Sequence, residues 1–138
     1  MKRVIFDTGP IVAWLCPRDE HHPWVRRVFG EISPGSIICG AVLAEACHLA
    51  AKEGVAHARV IEFVTRVRLQ PVSLSNELGC IRTLLDRYAS TRMDFADACV
   101  VRLAELHPHT TVCTLDSDFG FYRKNDREPI PLLAPFGG

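Results

Sequence analysis

The sequence predicts an α/β fold, with a parallel sheet of four to five strands sandwiched by helices. Two observations carry this expectation. Short apolar runs rich in β-forming residues, such as Val4-Ile5-Phe6 and Ile37-Ile38-Cys39, alternate with longer stretches of helical periodicity. An acid, Asp7, directly follows the first run, at the carboxyl end of a strand, where open α/β sheets form their sites. At 138 residues, with 48% hydrophobic and 23% charged content, the chain suits one globular domain spanning 1–138 with a real core.

The elements follow in order. After the Val4–Phe6 strand, Thr8 and Gly9 suit a turn and Pro10 suits the first helical position, since its missing N–H is not needed there. That helix continues from Ile11 to Leu15 and stops at Pro17. A second opens at Asp19 or Glu20, with Trp24, Val25, Val28, Phe29 and Ile32 at helical spacing. Pro34-Gly35 is a turn, and Gly40 ends the Ile37–Cys39 strand. A third helix runs from about Val42 to Lys52 and closes at Gly54, and a fourth from about Ala56 to Arg68. Leu69 to Leu74 hold a third strand, an edge because Pro71 lies within it. Ser75 caps a fifth helix with Leu78, Ile81, Leu84 and Leu85 on one face, and Tyr88 to Met93 form a loop. A sixth helix spans about Phe95 to Leu106, and Pro108 breaks it. Thr110 to Leu115 form a fourth strand, ending on the acidic turn Asp116-Ser117-Asp118. Phe119 to Tyr122 make a half-helical turn, and Ile130 to Leu133 are a short last strand or a tail.

Composition narrows the function classes. No apolar run is long enough to cross a membrane, and the start of the chain lacks a secretory pattern, so a cytoplasmic protein is expected. The six cysteines stand singly, without Cys-x-x-Cys pairs, which suits reduced structural thiols. A formal net charge of zero argues against holding nucleic acid by bulk electrostatics, though not against a local basic rim.

The informative pattern is in the acids. Asp7 and Asp116 both follow strands at their carboxyl ends. Asp94 and Asp97 stand three apart at a helix start and share a face. Glu45 interrupts an otherwise apolar helix face between Ala44 and Ala46, where a glutamate wants a partner. In an α/β sandwich these places can converge on one cleft. Grouped carboxylates raise each other's pKa, and a divalent cation offsets that repulsion. Oxygen-only ligands point to Mg²⁺ or Mn²⁺, and such a site suits phosphoryl chemistry.

Four stretches, Val4-Ile5-Phe6-Asp7-Thr8-Gly9-Pro10, Leu43-Ala44-Glu45-Ala46, Met93-Asp94-Phe95-Ala96-Asp97-Ala98 and Thr114-Leu115-Asp116-Ser117-Asp118-Phe119, together resemble PIN-domain ribonucleases of the VapC-like toxin type over nearly the full length. The resemblance implies a three-layer α/β/α fold, an acidic Mg²⁺ or Mn²⁺ site and hydrolysis of single-stranded or looped RNA. Asp7, Glu45, Asp97 and Asp116 match the four acidic positions of the family, as catalytic residues and metal ligands. Asp94 and Asp118 match positions often acidic, with supporting roles, and Thr8 and Thr114 would orient carboxylates or water. In-line attack of an activated water on phosphorus is the implied reaction, with one metal or two. A homodimer and a small antitoxin partner are also implied, with Trp14, Leu15, Trp24 and Phe29 as candidates for that groove, for the dimer or simply for the core.

Other readings stand beside these. Asp7 and Asp94 suit N-caps, and Asp118 suits a cap for the Phe119 turn. Arg123 and Lys124 could meet RNA phosphates or form, with Arg127, a solvated basic turn. His21, His22 and His48 lack ligand-spaced partners and fit a surface or half-buried role. A haloacid-dehalogenase-like phosphatase would want an acid where Gly9 stands, and a topoisomerase–primase-type domain would want Glu at Asp7. The alternative from a different class is a catalytically silent PIN-like module that binds RNA or protein without cutting.

Overall fold

Strand β1 (Val4–Phe6) is the centre of the molecule, and its three side chains are fully buried. The structure, a computed structural model, describes residues 2–136; Met1, Gly137 and Gly138, the ends of the expected domain, lie outside the described residues. After β1 the chain forms α1 (Thr8–Leu15), α2 (His22–Phe29), β2 (Ile37–Cys39), α3 (Gly40–Lys52) and α4 (His57–Arg66). Strand β3 (Gln70–Val72), α5 (Leu78–Arg87), α6 (Phe95–Leu106) and β4 (Thr111–Cys113) follow. A 3₁₀ turn (Ser117–Gly120), a small hairpin of β5 (Arg123–Lys124) and β6 (Glu128–Pro129), and β7 (Leu132–Leu133) complete the order.

Five strands form one parallel sheet in the order β3-β2-β1-β4-β7, flanked by helices as a three-layer α/β/α sandwich. Because both faces are covered, the strands read as continuous apolar runs rather than alternating ones. Pro71 sits in β3, which is an edge, where a missing donor costs no ladder bond on the open side. The chain moves outward from β1 through β2 to β3, then returns to the other side of β1 for β4. That reversal opens a crevice at the carboxyl ends of β1 and β4, the position where sheets of this kind bind ligands.

Helix α6 supplies much of the core. Ala98, Val100, Val101 and Leu103 are fully buried, and Cys99 and Ala104 nearly so. A helix apolar on most of its circumference is enclosed by neighbours, and α6 packs on α3, α5, β1 and β4. Arg102 ties α6 to α5 by donating to Glu77 at 2.8 Å, and it also reaches Glu105 at 3.0 Å.

Several boundaries depart from the sequence expectation. Helix α1 begins at Thr8, so Pro10 is its third residue; the first four N–H groups of a helix lack intrahelical acceptors, and proline is as well tolerated there. Gly40 opens α3 instead of only ending β2. Ser75 does not cap α5, which starts at Leu78 after Glu77; its hydroxyl instead accepts from Ser73. Helix α2 is confined to His22–Phe29, and Ile32 lies beyond it in a parallel bridge to Lys2. The β5–β6 hairpin was not expected. Its turn puts Asn125 and Asp126 at positive φ of 50° and 71°, a region these two residue types tolerate.

Phe29 stacks on Phe6 at 4.8 Å and meets Phe63 edge-on at 5.1 Å, while Trp14 lies on Phe63 at 4.4 Å. Leu15 is buried, and Trp14, Trp24 and Phe29 are partly buried against the same core. Phe29→Ala is expected to lower unfolding free energy by about 3 kcal/mol in urea denaturation, the usual effect of emptying an aromatic site. A loss below about 1 kcal/mol would mean the cluster is loosely packed.

Candidate functional site: an acidic cleft at the switch point

The crevice between β1 and β4 is built around one buried hydrogen bond. Phe6 is in register with Cys113, and the Asp7 N–H donates to the Cys113 carbonyl at 3.0 Å, which sets Thr114 beside Asp7. Thr114 Oγ1 donates to Asp7 Oδ2 at 2.7 Å. The same oxygen accepts the Asp116 N–H at 2.9 Å, and Asp116 Oδ1 accepts the Asp118 N–H at 2.9 Å. One threonine thus locks the acid after β1 to the acidic turn after β4. Gly9 allows the close approach: a Cβ there would stand 3.2 Å from that of Leu115. Asp7 occupies the N-cap position of α1, yet its carboxylate makes no capping bond; it is committed to Thr114.

The second pair of acids is fixed by a reciprocal cap at the start of α6. Asp94 Oδ1 accepts the Asp97 N–H at 2.9 Å, and Asp97 Oδ2 accepts the Asp94 N–H at 3.2 Å. This is a capping box with aspartate in place of the usual glutamate. The Tyr122 hydroxyl makes a longer contact with the same Oδ2, at 3.4 Å. Asp97 therefore spends one oxygen on the helix start. Asp94 is both a cap and a cleft residue.

A cleft of about 510 Å³ gathers Asp7, Glu45, Asp94, Asp97, Asp116 and Asp118. All six acids therefore line one cleft. Glu45, half-buried on α3, has no hydrogen bond or ion pair among the described residues. Thr8 also lines the cleft, and its buried Oγ1 is without a protein partner. Among the described residues, no three acidic side chains already close on one point as a finished metal cage.

Some expectations are corrected. Arg123 Nη1 donates to the carbonyls of Gly120, Phe121 and Tyr122, so it secures the 3₁₀ turn; neither Arg123 nor Lys124 lines the cleft. Among the described residues, the cation lining the cleft is Arg92, from the loop before Asp94, 3.2 Å from Asp118. Its position two residues ahead of an acid motif was the available signal. Asp118 does not cap the Phe119 turn; Asp116 does, while Asp118 faces Arg92. His22 lies away from the acids, with Nδ1 2.8 Å from the Ala13 carbonyl. All six cysteines are free, as expected, but Cys80 is exposed.

Electrostatics agree with a cluster that repels itself. Burial pushes the Asp7 carboxyl up to about 6; Thr114 and the Thr8 N–H oppose this, and Asp116 and Glu45 add to it. Burial likewise pushes Asp97 up to about 7, opposed by the Asp94 N–H and reinforced by the charges of Asp94, Asp7 and Asp116. Tyr122, buried among these acids, has its phenol held well above the usual range. Oxygen donors alone, crowded and partly buried, suit a hard divalent cation.

The sign for stability follows. Both carboxyls bind protons more tightly folded than unfolded, so folding is favoured while they are protonated. That advantage fades as pH rises from about 4 through about 7. For the EDTA-treated protein, unfolding free energy should fall across this window, by roughly 3 kcal/mol from Asp7 alone. Asp7→Asn should remove that part of the slope, and an unchanged slope in denaturant titrations would contradict the assignment.

Comparison with known proteins gives a consistent result. The family described as the PIN domain matches residues 4–125. No curated protein sequence matches the chain. Among solved structures, Mycobacterium tuberculosis VapC20, named a sarcin-ricin loop cleaving toxin, is similar with TM-score 0.74 and 19% identity, over 91% of this chain and 99% of that one. FitAB bound to an IR36 DNA fragment is similar with TM-score 0.62 and 20% identity, over 98% of this chain and 96% of that one. FitAcB from Neisseria gonorrhoeae gives TM-score 0.54 and 20% identity, over 83% and 88%.

Proposed function

The chain belongs to the PIN-domain family, and we propose that it is a divalent-metal-dependent endoribonuclease, the toxin of a toxin–antitoxin pair. The observation that carries this reading is the joining of two acidic turns and a capped acid pair in one cleft at the sheet's switch point. The donor set fits Mg²⁺ or Mn²⁺: every donor is a hard oxygen, the carboxylates raise one another's proton affinity, and Thr8 Oγ1 is buried without a partner.

Asp7 and Asp97 would hold the cation, with Glu45 and Asp116 completing its surroundings. When bound, such a cation polarises a phosphodiester and makes a water acidic enough to attack at neutral pH. The side chains do the positioning. Thr114 fixes the Asp7 carboxylate, and the Asp94 N–H fixes that of Asp97. Glu45, without a hydrogen bond or ion pair among the described residues, orients the attacking water for in-line displacement at phosphorus. RNA is the substrate in this reading, and an antitoxin protein and a second copy of the chain are the partners. Likeness to a protein named as a sarcin-ricin loop cleaving toxin supports it. No helix among the described residues is long and apolar enough to cross a membrane.

The test is cleavage of a mixed pool of structured RNAs with Mg²⁺, Mn²⁺ or EDTA. Cleavage should need the metal and fall at least about 100-fold in Asp97→Asn. Folded protein that binds RNA in every condition yet never cuts would favour a silent binding module.

A further inference from the structure

The cleft presents a difficulty for its own substrate. Six carboxylates face a phosphodiester that is itself anionic, and among the described residues Arg92 is the one cation lining the cleft. Arg92 is built for more than holding Asp118. Its side chain is 84% exposed, and one nitrogen, Nη2, meets Asp118 Oδ1 at 3.2 Å. A guanidinium has five N–H donors in a planar fork, so most remain free for a second anion. The loop beneath it is secured. Thr91 Oγ1 donates to the Tyr88 carbonyl at 2.7 Å and accepts the Met93 N–H at 3.1 Å. Tyr88 is buried, and its hydroxyl accepts the Arg123 N–H at 2.9 Å. The backbone of the loop is thus pinned on both sides of Arg92 while the side chain projects over the cleft mouth. Asp118 holds the guanidinium at that mouth without enclosing it.

We propose that Arg92 is the phosphate-binding residue of this cleft, gripping a backbone phosphate of the RNA while Asp118 keeps its guanidinium over the acid cluster. The assignment rests on the ribonuclease reading above. It takes the place of Arg123, which does not line the cleft and whose Nη1 is bonded to carbonyls of its own turn. A contact of this kind attracts phosphate regardless of base, so it tightens binding of any unpaired strand and carries no sequence preference.

The experiment measures binding apart from cutting. In an Asp97→Asn background, fluorescence anisotropy follows a labelled oligouridylate of about twelve nucleotides across a salt series. Arg92→Ala should weaken binding about 10-fold and reduce the slope of log affinity against log salt by about 0.7, the value of one phosphate contact on a single strand. Arg92→Lys should keep the slope and lose part of the affinity, because charge is retained and the fork is not. Asp118→Asn should weaken binding less than Arg92→Ala does and keep the salt slope, because the guanidinium loses its anchor and retains its charge. In the cleaving protein, Arg92→Ala should raise KM about 10-fold with kcat within about 2-fold. Thermal melts of Arg92→Ala should match the parent, since the side chain is exposed. Unchanged affinity and slope in Arg92→Ala, alongside normal metal-dependent cutting, would overturn the assignment and leave the ribonuclease reading intact. A protein that neither binds the oligonucleotide at low salt nor cuts RNA would remove the ribonuclease reading itself.

Discussion

The hydrogen bond from Thr114 Oγ1 to Asp7 Oδ2 is the constraint on which the site depends. It is buried, and it joins residues 107 positions apart in the chain. The parallel register of β1 with β4 puts the two residues side by side, and the close packing at Gly9 lets the first turn of α1 sit against Leu115. Two further acids hang from that pair, and a second pair is fixed separately at the start of α6. Asp116 is placed by its own N–H on Thr114, Asp118 by its N–H on Asp116, and Asp97 by the reciprocal cap with Asp94. Short backbone bonds, each ordinary alone, thus aim several carboxylates into one space.

This arrangement opposes stability. A buried carboxyl near other carboxylates resists ionisation, and Asp7 and Asp97 both do so. A protein optimised only to fold would place an uncharged side chain at Asp7. The fold tolerates the charge because it sits at the end of a sheet whose interior is apolar, with α6 enclosed against β1 and β4. The strained chemistry is concentrated at one edge, and the rest of the molecule holds that edge together. Concentrated repulsion of this kind is what a bound cation would relieve, which is the physical basis of the proposed metal site.

Much of this was legible in the sequence, for definite reasons. The sheet's strands are short apolar runs because both faces are covered, and Val4-Ile5-Phe6 and Ile37-Ile38-Cys39 mark it clearly. Glu45 was conspicuous because a carboxylate on an apolar helix face needs a reason to be there. Helix starts were less legible: Pro10 and Gly40 are compatible with several positions in a first turn, and Ser75 found a neighbouring hydroxyl in place of a helix. The β5–β6 hairpin hid because its strands have two residues each and no alternation to read. Side-chain direction was least legible of all. Arg123 and Arg92 both stand near acidic motifs, and only the folded backbone decides that one turns toward its own carbonyls and the other toward the cleft.

The central claim is that Thr114 assembles a cation site by joining Asp7 to the turn that carries Asp116. The most direct measurement is Mn²⁺ titration of the wild type and of Thr114→Val at neutral pH, by calorimetry or by the spectrum of free Mn²⁺. Valine keeps the shape and removes the hydroxyl. The account predicts Mn²⁺ binding to the wild type, and binding weakened at least about 10-fold in the variant, the range seen when a group that orients a metal ligand is lost. Equal Mn²⁺ affinity in a folded Thr114→Val protein, or no Mn²⁺ binding by the wild type, would contradict it.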